Sequence, residues 1–399
     1  MPTHDKKFFV FDADNHMYET PDALTKYLPA QYEGFIKYVV DNGRTKIAVN
    51  NVISDYIPNP TFERVAAPGA QEEYFRVGNP EGKSRREIMG KGITAHPGYA
   101  SPEPRIELLD ELGIDRALMW PTLASLLEER VRDNPPAVHA VVHALNRWML
   151  EHWSYNFDGR MFPTPVLHLG ILEEAQRELD FVMEGGAKVI LVRPAPVWGF
   201  MGPRSVALPE FDPFWKRVEE ADIVVGMHAS DSGYQRYLNE WEGVRDGEMT
   251  PFKGGSGFIE IVGHTSRPII DTVASLIGHG LCTRFPKLKV LPVENGSAWV
   301  RPLVENMEHA WSRNPAMFDE NPVDVFRRNI WVHPFHEEDP KGLIDIVGAD
   351  RVVFGSDYPH PEGMVDPVTF VDELVGLPEQ EIAAVMGENM NQLLGLRAA

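Results

Sequence analysis

From about residue 105 onward the chain repeats one pattern: a short apolar run that reads as a strand, then a longer amphipathic segment that reads as a helix. The strand-like runs are 116–120, 161–167, 188–193, 223–228, 289–294, 329–333 and 351–357, with helical periodicity over 137–153, 172–183, 213–220 and 299–311. An eighth run, Phe8-Phe9-Val10-Phe11-Asp12-Ala13-Asp14-Asn15-His16, opens the chain. Eight β/α units predict an α/β fold, a closed (β/α)8 TIM barrel, taken as one domain over 1–399. An open doubly wound sheet is the competitor. It would carry a glycine-rich turn after the first strand if it bound a nucleotide, and Asp14-Asn15-His16 stands there instead.

Residues 17–105 break the pattern, being rich in Pro, Gly and Tyr, and are expected to form an insertion or cap after strand 1. Within it, 35–40 and 45–49 flank Asp41-Asn42-Gly43-Arg44, the signature of a hairpin whose turn needs positive φ. Its aromatics Tyr32, Tyr38, Tyr56 and Phe62 either shape an apolar substrate pocket or simply pack.

Barrel enzymes work at the C-terminal ends of their strands. Here those ends carry Asp14 and His16 on strand 1, Arg193 on strand 4, His228 on strand 5, Glu294 on strand 6, His333 on strand 7 and Asp357 on strand 8. Alternate residues of a strand share a face, so Asp14 and His16 point the same way, with Asp12 one layer deeper and read as structural. Asp14, His16, His228 and Asp357 make a mixed nitrogen and oxygen set suited to one divalent metal ion with open positions. The alternative is a buried hydrogen-bonded pair of Asp14 and His16. Arg193 is read as a bidentate grip on a substrate carboxylate, or else as half of a salt bridge. His333, His336 and His360 are read either as lining the mouth or as loop-surface residues, His168 as structural, and His264 and His279 as packing or facing solvent. The run Glu337-Glu338-Asp339 reads as a solvated helix start.

Composition narrows the partners. With 38 basic against 59 acidic side chains, a net charge of −21, the chain lacks the clustered cations that a nucleic acid needs. A single cysteine, Cys282, excludes an intrachain disulfide, and no apolar run has the length of a membrane span. A soluble, cytoplasmic protein acting on a small molecule is the expectation.

The segment Phe354-Gly355-Ser356-Asp357-Tyr358-Pro359-His360-Pro361-Glu362-Gly363 resembles the strand-eight signature of the amidohydrolase-related family, the group of aminocarboxymuconate semialdehyde decarboxylase and the resorcylate-type decarboxylases. Residues 281–290 are similar to that family's approach to strand six, and 13–19 to its strand-one motif. The resemblance implies Asp14, His16 and His228 as metal ligands, Asp357 as ligand or catalytic acid/base, and a homodimer or larger assembly. Many relatives open with His-x-His. Asp14 in place of the first histidine hardens the site, so Mn²⁺ competes with the otherwise favoured Zn²⁺. Where several relatives carry a catalytic histidine on strand six, this chain has Glu294, a general base, a ligand or a hydrogen-bonding support. Binuclear relatives place a carbamylated lysine at the end of strand four. Lys188 lies at the start of that strand, so one metal ion is expected. Hydrolysis is the first reading, with metal-activated water as nucleophile and Asp357 or Glu294 moving the proton. Non-oxidative decarboxylation of a small carboxylated or aromatic molecule, with Asp357 protonating carbon, is the alternative. A catalytically silent binding barrel, third, would show a lost ligand position.

Overall fold

In the computed structural model, which describes residues 7–244, 256–262 and 266–396, the apolar runs become parallel staves. β1 (Phe11–Met17) pairs with β2 (Arg116–Pro121), and β2 with β3 (Met161–Pro163). β4 (Val189–Leu191) pairs with β5 (Val224–His228), and β5 with β6 (Lys289–Val293). Single parallel bridges complete the ring, from Val166 to Leu191, Val290 to Ile330, Val332 to Val352, and Asn15 to Tyr358. The eight-staved barrel is therefore the fold. Helices Pro135–Trp153, Leu172–Glu184, Asp212–Glu220 and Val300–Arg313 match the expected spans closely.

The differences from the expected strands have local causes. β3 stops at Pro163 because Pro163 and Pro165 have no N–H to give to a ladder; Pro165 contributes only its carbonyl, to Leu191 N at 2.8 Å. In β1 the pairing slips between Asp12 and Asn15, which face Ala117 and Met119, so one extra residue bulges out beside Asp14. The plain alternation read from the sequence is interrupted there, yet Asp14 and His16 still converge. Asp339 does cap helix Pro340–Val347, accepting from Lys341 N at 3.1 Å. Its neighbour Glu338 is not a solvated residue, however. It accepts from Ser297 N (2.6 Å), Ala298 N (3.0 Å) and Phe335 N (2.9 Å), tying the loop after β6 to the loop after the seventh stave.

Between β1 and helix Pro102–Glu111 the chain forms a three-stranded antiparallel sheet, Ile36–Asp41, Arg44–Val49 and Val52–Ser54, then a two-stranded ribbon and two short helices, Glu72–Val77 and Arg85–Met89. The hairpin turn falls on Asn42 and Gly43, both at positive φ as that dipeptide predicts. His168 is buried against Glu128 at 2.6 Å, and exposed His279 bonds Ser275. His264 lies outside the described residues. Lys188 is exposed at the start of its stave. Among the described residues no helix is long and apolar enough to cross a membrane.

Inside the barrel, Trp120 is fully buried and its ring reaches across to Gly226 on β5. A Cβ at Gly226 would stand 2.2 Å from that ring, so only glycine allows the approach. Gly226→Ala is expected to lower stability by about 1–3 kcal/mol, read from urea unfolding. A second position gives a pH signature. The Glu19 carboxyl, buried above β1 and accepting from Leu123 N at 2.7 Å, is pushed up to about 8 by burial. With its folded-state pKa raised, the stability it contributes is complete below the unfolded value and is lost as pH rises through about 8. Glu19→Gln removes that titration. The variant should gain stability over the wild type between pH 5 and pH 8, by no more than about 1.4 kcal/mol per pH unit, in melting curves taken across the range.

Candidate metal centre

The C-terminal ends of β1, β5, β6 and the eighth stave meet at the barrel mouth. There Asp14, His16, His228 and Glu294 each offer a ligand atom, all within 4.8 Å of one another, and His16, Asp357 and His360 form an adjoining group. His228 Nε2 lies 3.1 Å from His16 Nε2, 3.3 Å from Asp14 Oδ1 and 3.1 Å from Glu294 Oε2. His16 Nε2 lies 3.4 Å from Asp14 Oδ1 and 3.3 Å from Asp357 Oδ1.

The far nitrogens of the two imidazoles are anchored. His228 Nδ1–H donates to the Ala229 carbonyl at 2.8 Å, leaving Nε2 as a bare lone pair aimed into the cluster. His16 Nδ1 faces the Thr122 hydroxyl at 3.4 Å, which itself donates to the Met17 carbonyl at 3.0 Å. Thr122 then accepts from His16, and His16 Nε2 also points inward as an acceptor.

This donor set fits a divalent cation. Two lone pairs meeting at 3.1 Å repel unless positive charge lies between them, and Asp14 Oδ2 is buried without a hydrogen-bond partner among the described residues. The electrostatics agree. Burial alone would raise the Asp14 carboxyl, yet the neighbouring His16 and His228 imidazoles, whenever they carry positive charge, hold it far below the usual carboxylate range. His16 is lowered by burial and by His360, which keeps it neutral. Burial opposes protonation of His228, but Glu294 and Asp14 raise it. The site demands positive charge at this point, which a proton or a metal ion can supply.

Around the cluster, Glu294 and Asp357 both sit at positive φ, 53° and 56°, a conformation that non-glycine residues adopt at a cost. Each is pushed well up, Glu294 by burial and Asp357, and Asp357 by burial and Glu362. Asp357 Oδ1 is 2.8 Å from His360 Nδ1. His333 is buried behind Asp14, 3.5 Å from Oδ2, its Nδ1 accepting from Glu294 N at 3.3 Å and its Nε2 donating to the Gly355 carbonyl at 3.1 Å. Both nitrogens thus serve the backbone. Gly355 permits this, since a Cβ there would meet Asp14 and His333 at 2.6 and 2.7 Å.

Arg193 is not in this group. Its guanidinium is held by Glu129 (3.1 Å) and by the Asp231 and Pro196 carbonyls (3.2 Å each), so its fork makes the salt bridge of the alternative reading. Two residues at the mouth escaped the sequence reading. Thr122 directly follows β2, whose end, Trp120-Pro121, carries no ionisable residue, and Glu362 lies in a Pro-rich turn where no periodicity points it anywhere.

Comparison with known proteins bears on this geometry. The family model described as Amidohydrolase matches residues 13–396. The crystal structure of an amidohydrolase from Mycobacterium avium subsp. paratuberculosis K-10 is similar throughout, with 37% identity and a TM-score of 0.91 over 98% of this chain and 100% of that one. A dihydroxybenzoic acid decarboxylase from Polaromonas sp. JS666, solved with bound manganese and the inhibitor 2-nitroresorcinol, shares the fold at 17% identity and TM-score 0.59 over 98% of each chain. A curated 2-amino-3-carboxymuconate-6-semialdehyde decarboxylase of Dictyostelium discoideum is 27% identical over 129 residues, 31% of this chain, and the match spans 36% of that relative's length. A family model running almost end to end, together with a full-length structural relative, assigns the chain to the amidohydrolase family, as a metal-dependent enzyme.

Proposed function

We propose that the enzyme is a metal-dependent carboxy-lyase that removes CO₂ from a small aromatic acid without oxidation. The observation that carries this reading is the Asp357–His360 pair on the rim of the Asp14, His16 and His228 cluster. Burial and the neighbouring Glu362 carboxyl favour the protonated form of Asp357, and an acid on the rim of the cluster suits donation to carbon better than activation of water. The decarboxylase relatives support the same reading. Hydrolysis, first in the sequence reading, becomes the second. What favours it is Glu294, a carboxyl 3.1 Å from His228 and open to a water molecule.

A divalent cation on Asp14, His16 and His228 would bind the substrate carboxylate and an adjacent oxygen in their anionic forms and so set the reacting carbon beside Asp357. Manganese is the better supported ion, from the carboxylate at position 14 and the manganese-bound relative. Asp357 transfers its proton to the carbon that bears the carboxylate. The C–C bond breaks, its electron pair returns to the ring and CO₂ leaves. The new C–H bond stays with the product. His360, 2.8 Å from Asp357, orients the acid and passes it the next proton from solvent. Glu294, beside His228, balances charge at the cluster.

Assayed in D₂O and H₂¹⁸O against hydroxybenzoates, β-keto acids, amides and lactones, the metal-loaded enzyme should release CO₂ and place one deuterium on the product carbon with no ¹⁸O uptake. Uptake of ¹⁸O into an acid product without CO₂ would establish hydrolysis instead. Asp357→Asn should lower kcat by about 10²–10⁴-fold with the protein still folded, and His228→Ala should purify with much less than one metal ion per chain by elemental analysis.

A further inference from the structure

Two cavities open onto the cluster and share Glu362. The smaller, about 330 Å³, touches Glu294, His333 and Asp357 and is walled by Tyr74, Phe75 and Phe335. The larger, about 650 Å³, starts at Thr122 and His360 and runs outward under the segment after β1. Pockets that enclose drug-sized molecules span roughly 300–1,000 Å³. The smaller chamber is at the bottom of that range and suits one ring, while the larger sits mid-range.

The larger chamber also has a built direction. Its inner wall is buried and apolar, with Tyr18, Ile57, Phe62 and Val65, and its outer rim carries exposed Arg44 and Arg64. From the wall a continuous aromatic stack descends to the cluster. Phe62 lies on Tyr18 (4.3 Å, 8° between planes), Tyr18 on His360 (5.9 Å, 19°), and His360 on His16 (3.9 Å). Phe62 holds a positive φ of 51°, which a bulky side chain adopts only where its surroundings over-determine it, a habit of ligand clamps. At the threshold between the chambers, Glu362 Oε2 is buried without a hydrogen-bond partner among the described residues.

We propose that the substrate spans both chambers: an aromatic acid carrying a distal apolar substituent of about one further ring, with the reacting carboxylate at the cluster, a hydroxyl or amine at Glu362, and the substituent against the Tyr18–Phe62 wall. This rests on the carboxy-lyase reading for the reacting end alone. Phe62 is then a specificity-determining residue, placed by the segment after β1 and remote from the bond that breaks.

Calorimetry on the manganese-loaded protein separates this from a single-ring site without needing turnover. The probes are 2-hydroxybenzoate and its 4- and 5-phenyl derivatives. At least one biaryl acid should bind tenfold or more tightly than the single ring. Phe62→Ala, and Thr61→Trp which fills the chamber from its lining, should each abolish that advantage, and Thr61→Trp should leave the affinity for 2-hydroxybenzoate within twofold, with metal content and circular dichroism unchanged in both. Equal affinity for all three acids in the wild type, no binding of either biaryl, or an advantage that survives both variants would overturn the proposal. Tight biaryl binding without CO₂ release from any aromatic acid would sustain the chamber and refute the carboxy-lyase reading.

Discussion

The barrel mouth depends on the buried Asp12 carboxylate. β1 and the eighth stave are joined by the Asn15–Tyr358 bridge and by backbone bonds from Ala13 N to the Phe354 carbonyl (2.9 Å), His16 N to the Tyr358 carbonyl (2.8 Å) and Asp357 N to the Asp14 carbonyl (2.7 Å). Asp12 ties the same two segments through its side chain. Its Oδ1 accepts from Asp14 N (3.0 Å) and Ser356 N (2.9 Å), and its Oδ2 from Asn15 Nδ2 (2.8 Å) and Ser356 Oγ (2.5 Å). Burial pushes this carboxyl up to about 6, and those four donors are what keep an acid tolerable at that depth. One side chain thereby fixes the residues that precede Asp357 against those that flank Asp14, so both enter the cluster at set positions.

Strain concentrates where the chain leaves the staves. Glu294 and Asp357 take left-handed backbone conformations at the ends of β6 and the eighth stave, and the surrounding hydrogen bonds oppose their relaxation: Glu294 N to His333, Asp357 N to the Asp14 carbonyl at 2.7 Å, and the Glu338 ties behind them. The two carboxyls are therefore aimed by backbone geometry more than by rotamer choice. His333, read from sequence as lining the mouth, touches the smaller cavity there and also lies against Asp14 from behind.

How much of this could be read from residues alone follows from what pattern encodes. Staves and helices are periodic, so the number of staves and the spans of four long helices were legible, and the strand-end rule pointed to Asp14, His16, His228, Glu294 and Asp357, which the structure gathers at one mouth. Direction within a loop has no period. Glu362 is hidden for that reason and Thr122 because the end of β2 carries no ionisable residue, and Glu338 reads as solvated because its partners lie about 40 residues away, across a neighbouring loop. Arg193 satisfied the strand-end rule and still turns to Glu129, since charge pairing with another element is invisible in its own strand. The bulge beside Asp14 was hidden too, because its cause is the register of a neighbouring stave.

The central claim is that Asp14, His16 and His228 together hold one divalent ion, with both imidazoles binding through Nε2. Pulsed electron paramagnetic resonance on the protein loaded with one Mn²⁺ tests it most directly. The account predicts nitrogen couplings from two directly bound histidines, one of which disappears in His228→Gln. Manganese that shows no coordinated nitrogen, or couplings unchanged by that substitution, would contradict it.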